Sequence, residues 1–286
     1  MIESFVDSWE IFCFSHLTGW VTAVLLALVG VYVVARDQIF VGAAVSQAST
    51  LGIAVALALA GWGVVPEHVA PWDTLPAILA VVFSVLAALF SGREGGLGGE
   101  SHEAVSGWVF LATASLSVLL MAHSPHGLEE IHKLLFSSII VVRELDFWIV
   151  TGLTVGTIAL LILYGRPLLL FTMDPAMAAA VGMCTGRWSV LASAWLGLTL
   201  GITLKLSGLL YSFGCLVLPA LIARHLVREM RSMYLVSPLV ALLTAVAGFV
   251  IANHQDYPPG QLTVALFAAL LGILWTFRKL LSRVTS

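Results

Sequence analysis

Four residues of one short polar segment, His123, His126, Glu129 and His132, carry donor types that bind divalent transition metals. His123 and His126 flank Ser124-Pro125, and Glu129 and His132 share a face, three residues apart, if the stretch after the turn is helical. Such donors bind only when deprotonated, so any affinity here falls at acid pH. Two readings stand: a metal relay, or a solvated loop that meets another protein. Other chemistries lack their residues. There is no Gly-x-x-x-x-Gly-Lys-Ser/Thr phosphate loop, and the glycines at 95, 96, 98 and 99 have no following Lys and read as a flexible turn. Nucleotide hydrolysis is therefore not expected on this chain. No Ser/His/Asp set, intramembrane carboxylate pair or His-Glu-x-x-His supplies a catalytic residue, so the chain is not read as an enzyme. Cys13, Cys184 and Cys215 are too far apart for a metal or disulfide spacing.

The elements that must position any site are set by composition. Of 286 residues, 60% are hydrophobic and 10% charged, with a mean hydropathy of +1.03. Soluble domains carry roughly 25% charged residues, so lipid must be much of the solvent. Thirteen basic residues against sixteen acidic ones make no basic stripe, which argues against nucleic acid as a partner. Peptide groups in lipid must be satisfied within their own segment, so the apolar runs read as helices. They lie near 17–35, 39–61, 74–90, 104–122, 145–164, 188–204, 208–223, 234–252 and 260–277. The expected fold is an all-α polytopic membrane bundle of eight or nine spans. Pro219 should kink the run 208–223, and 131–142 is too short to cross, reading as a re-entrant or outer-leaflet helix.

The first 35 residues hold no Lys or Arg, so the start does not read as a secretory signal. Residues 1–16, acidic and aromatic, read as an outer interfacial segment, 17–280 as one transmembrane domain and 281–286 as a cytoplasmic tail. With the start outside, ten basic residues fall inside (Arg36, Arg93, Arg166, Arg187, Arg224, Arg228, Arg231, Arg278, Lys279 and Arg283) and three outside (Lys133, Arg143 and Lys205). That split obeys the positive-inside rule and predicts a multi-pass protein of the inner, or cytoplasmic, membrane. Lys205 is read as snorkelling to headgroups.

A short helix is expected at about 174–182, on the cytoplasmic side. Asp174 is placed as N-cap, Pro175 as first helical residue and Gly182 as the stop. Its alanines, Ala178 among them, allow close approach of another surface, and Met177 and Met183 can fill an irregular groove. The segment is either a docking helix for a soluble partner or a linker lying among headgroups.

This stretch resembles the coupling-helix region of ABC-type permeases that import zinc, manganese or iron, in which an Arg-x-Leu-Leu-Leu lead precedes Asp-Pro-x-x-Ala-x-x-x-Gly. Other segments match that family in order: 30–36 (GVYVVAR), 134–139 with Asp146, 207–210 running to 218–220 and 223–224, and 256–260 (DYPPG). The resemblance implies a non-enzymatic transport subunit. Its implied partners are a cytosolic ABC ATPase dimer, a second permease chain (homo- or heterodimer), an extracytoplasmic metal-binding protein and membrane lipid. No permanent cofactor is implied; the cargo is a divalent metal (Zn, Mn or Fe), moved by alternating access. Coupling to the ATPase is carried over onto Asp174, Pro175, Met177, Ala178 and Gly182.

One departure stands out. The family's second span commonly reads Gly-Asp-Ala-Leu-Ser-His-Ala, and here the Asp position is Ala43 and the His position Gln47. Alanine has no donor atom and glutamine offers a neutral carbonyl oxygen, a poor zinc ligand. Metal could still pass along Ser46, Gln47, Ser49 and Thr50; the chain could pair with a ligand-bearing permease; or the cargo could differ from a bare ion. Small-residue packing is the alternative role for Ser46, Ser49 and Thr50. Two rival functions remain: an accessory or heterodimer-partner permease without its own metal site, and a secondary carrier driven by an ion gradient, against which the near absence of intramembrane carboxylates counts.

Overall fold

The structure, a computed structural model, describes residues 2–62, 74–92, 101–122 and 142–284. Among them are nine helices and no strand: α1 (Ile2–Ala35), α2 (Ile39–Gly61), α3 (Thr74–Ser91), α4 (His102–Met121), α5 (Glu144–Met173), α6 (Pro175–Ala180), α7 (Thr185–Leu226), α8 (Met230–Gln255) and α9 (Pro259–Val284). All except α6 are long and apolar enough to cross a membrane. The protein is a multi-pass membrane protein. The short run at 131–142 lies outside the described residues except for Val142.

Residues 2–16 are continuous with the first apolar run in one 34-residue helix. The runs at 188–204 and 208–223 are likewise one 42-residue element, interrupted at Gly208 (φ 76, ψ 167). That backbone region is open essentially to glycine alone. The break falls where the second run begins, and Pro219, expected to kink that run, lies inside helical backbone. A straight helix of this length would measure about 63 Å, twice the roughly 30 Å of hydrocarbon, so an interruption near its middle is what the bilayer requires. Ser207 and Ser212, both buried, are hydrogen-bonded across the break at 2.9 Å.

The chain divides into two compact units. One comprises Met1–Val34, Ser138–Ile158 and Gly214–Ser286, the other Ala35–Ser137 and Ala159–Phe213. In the first, small residues let backbones touch: a Cβ on Gly30 would lie 1.7 Å from the Leu216 carbonyl oxygen, and one on Gly19 2.4 Å from the Phe249 ring. Ser237 donates to the Ala27 carbonyl at 3.0 Å, tying α8 to α1. In the second unit, α2 packs on α3 and α4. Gly52 meets the Leu79 carbonyl, and Gly197 and Gly201 of α7 meet the α3 backbone at Val85 and Val81, so this arm of α7 runs antiparallel to α3. Ile53, Ala80 and Leu204 form the buried centre of that contact. Lipid is as apolar as leucine, so van der Waals contact and hydrogen bonds, rather than water exclusion, must hold these helices together.

Gly30→Ala should therefore be strongly destabilising, because the atom opposed to the new Cβ is backbone. Gly152→Ala, which meets nothing within 4 Å, should be neutral or stabilising by about 0.5–1 kcal/mol, glycine being a poor helix residue. Thermal unfolding of the two variants in detergent checks the contrast; equal melting temperatures would contradict it.

Candidate functional site

The bilayer thickness also shapes α5. At about 1.5 Å per residue, some 30 Å of helix from Glu144 reaches Tyr164, and there the helical backbone breaks (φ −116, ψ 16). Pro167, three residues on, cannot donate to the carbonyl a turn earlier and its ring crowds it, which accounts for the kink. Tyr164 packs edge-on against Trp188 of α7, ring centroids 6.0 Å apart. Beyond the kink the last turns of α5 lead into α6.

The local chemistry of α6 follows its sequence. The Asp174 carboxylate accepts from the Met177 backbone N–H at 2.8 Å and Pro175 takes the first helical position. At the other end Gly182 (φ 87) donates to the Ala179 carbonyl and Met183 to the Ala178 carbonyl, each at 3.0 Å, a Schellman closure that only a left-handed residue permits easily. Ala178 is fully buried. Met173, Met177 and Val181, spaced four apart, are 68%, 53% and 59% exposed. The result is a rigid six-residue helix between two backbone singularities, with an apolar stripe of methionine and valine turned outward.

On α2 the structure places Ser46, Gln47 and Thr50 inside the protein. Thr50 donates to the Ser46 carbonyl at 3.3 Å, returning its hydroxyl to its own helix. The Ser46 and Ser49 hydroxyls have no hydrogen-bond partner among the described residues. Ala43, Gln47 and Thr50 follow one another at helical spacing and share a face. The face offers a neutral amide and a hydroxyl, with neither carboxylate nor imidazole. His123, His126, Glu129 and His132 lie outside the described residues. Among the described residues no three His, Cys, Asp or Glu side chains are grouped to hold a metal ion.

A feature that sequence reading missed lies next to the α5–α6 segment. The Arg36 guanidinium sits over the Phe171 ring, 4.7 Å from its centroid, and Phe171 is fully buried. Nothing in the spacing of these residues pairs them. An arginine at a span end reads first as a snorkelling residue.

The description of the ABC 3 transport family matches residues 8–278. The chain belongs to that family. It is 23% identical over 273 residues, 94% of this chain and 89% of the other, to the manganese transport system membrane protein MntC of Halalkalibacterium halodurans. It is 22% identical over 263 residues, 92% of this chain and 95% of the other, to the high-affinity zinc uptake system membrane protein ZnuB of Haemophilus influenzae. Its fold is that of the chain in a solved structure of PsaBC from Streptococcus pneumoniae in complex with Fab, with a TM-score of 0.78 at 23% identity over 96% of this chain and 95% of that one.

The capping of α6 gives a direct check. Asp174→Ala should lower local stability by about 1 kcal/mol, seen as about fivefold faster hydrogen exchange at the Met177 amide, with Asp174→Asn near the parent. Unchanged exchange in the alanine variant would show that the cap does not hold this helix.

Proposed function

We propose that the chain is the membrane permease of an ATP-driven importer for a divalent transition metal, working with a separate cytosolic ATPase pair, a second permease chain and an extracytoplasmic metal-binding protein. The observation that carries this reading is α6: a doubly capped helix on which Met177 is exposed, with Met173 and Val181 exposed at its two ends. Its surroundings suit a cytosolic location, since Arg166 and Arg187 flank it and basic residues favour that side. A partner whose two halves close on ATP would press on this stripe, and the bundle would shift between outward- and inward-open arrangements of similar free energy. Membership in the family, and relatives named for manganese and zinc transport, support the metal cargo. Asp174, Pro175, Met177, Ala178 and Gly182 are assigned the coupling role, and Ser46, Gln47 and Thr50 the translocation path. A path of amide and hydroxyl binds the ion weakly and releases it readily. His123, His126, Glu129 and His132 are assigned to capture of metal at the outer mouth.

A second reading draws on Ala43 and Gln47: the chain serves as the non-ligating half of a heterodimer whose partner bears the carboxylate and imidazole.

Two measurements test these readings. Affinity purification should bring down an ATPase, and Met177→Asp should weaken that association about tenfold or more, because a charge buried unpaired in an interface is costly. Recovery of no ATPase with the parent chain would refute the importer reading. Reconstituted with its ATPase and metal-binding protein but no other permease, the chain should take up Mn²⁺ or Zn²⁺ in an ATP-dependent way, and Ala43→Asp combined with Gln47→His should tighten metal binding about tenfold while slowing turnover. Uptake appearing only when a second, different permease is added would favour the heterodimer.

A further inference from the structure

The proposed function leaves open how a push on α6 reaches the helix that carries the path. Resting on that reading, we infer that Arg36 and Phe171 form the link that couples movement of α6 to α2.

The segment from Tyr164 to Gly182 has a backbone break at each end: Tyr164 with Pro167 beyond it on one side, and Gly182 at φ 87 on the other. Between these points the chain is helical but for the Asp174 cap, and the Asp174 N–H still donates to the Leu170 carbonyl at 3.0 Å, so the end of α5 and α6 move as one arm. Phe171 is the arm's inward anchor, fully buried in a stretch where Met173 and Met177 are more than half exposed. What lies over its ring is the Arg36 guanidinium.

Arg36 opens the turn Arg36-Asp37-Gln38, and Asp37 holds a left-handed backbone (φ 51) that makes the reversal tight. Aspartate reaches this left-handed region more readily than most residues, and two residues on the chain enters α2. From Ile39 the chain is the unbroken α2, on which Ala43, Gln47 and Thr50 follow. The turn is thus a short rigid handle on the helix that carries the assigned path, and Arg36 connects that handle to the arm.

Chemistry makes this contact a better transmitter than apolar packing. Methyl groups slide past one another at small cost, whereas a guanidinium over an aromatic face has a preferred placement, and away from water its attraction is strengthened. Displacing the arm would either carry the turn with it or break the stack. Arg36 and Phe171 are positioning residues, acting on the path through α2.

The test reconstitutes the permease with its ATPase and counts metal ions transported per ATP hydrolysed. Phe171→Leu and Arg36→Met should each leave ATPase recovery and ATP hydrolysis near the parent while lowering the ratio about tenfold, the scale of a desolvated cation–π contact. Arg36→Lys, which keeps a cation over the ring, should stay within about threefold. The double variant Arg36→Met with Phe171→Leu should be no worse than either single one, since both remove the same interaction. A parental ratio in Phe171→Leu, or strictly additive losses in the double variant, would overturn the link while leaving the importer assignment standing. Failure of the parent chain to recover an ATPase would overturn both.

Discussion

A peptide group in hydrocarbon finds no water, so every N–H and C=O must be satisfied within its own helix or by a neighbour. This constraint makes long uninterrupted helices the default and turns every interruption into a meaningful location. The described residues depart from regular helix at few internal places: Tyr164 ahead of Pro167, the capped stretch from Asp174 to Gly182, and Gly208. Each has an identifiable local feature. Pro167 is the cause of the kink in α5, Asp174 and Gly182 supply the caps of α6, and a Ser207–Ser212 side-chain hydrogen bond lies across the break in α7. Breaks placed this way divide the described helices into stiff pieces joined at defined points.

Close packing makes the pieces stiff. Glycines at 30, 52, 197 and 201 bring backbones nearer than any side chain would allow, and buried serines and threonines return their hydroxyls to carbonyls of their own or adjacent helices. In lipid such contacts replace the hydrophobic effect as the source of helix–helix specificity. The face of α2 bearing Gln47 is a contrast, because the Ser46 hydroxyl lacks a partner among the described residues and Gln47 offers only a neutral amide. Weak donors suit passage better than storage.

Much of this was legible in advance. The membrane class followed from composition, and the existence of the spans from the length of apolar runs. The caps of α6 could be read residue by residue because Asp-Pro and Gly act through local backbone chemistry that needs no tertiary context. What could not be read has several causes. When lipid and protein interior are equally apolar, hydrophobic periodicity no longer reports which face is buried, so α5 and α2 read alike although only α2 is largely enclosed. The break at Gly208 falls at the boundary between the runs 188–204 and 208–223, where a backbone at φ 76 calls for glycine, while Pro219, expected to kink the second run, lies within helical backbone. The Arg36–Phe171 stack was invisible because the two residues are remote in sequence and no spacing pairs them.

The central claim is that α6 faces the cytosol as the arm on which another protein's nucleotide-driven movement acts. Labelling of a single cysteine at this position, Met177→Cys in a chain carrying Cys13→Ser, Cys184→Ser and Cys215→Ser, by a membrane-impermeant maleimide tests it most directly. The account predicts labelling in inverted vesicles and none in intact cells, with protection once the ATPase is bound. Labelling from the outside of intact cells, or labelling indifferent to bound ATPase, would contradict it.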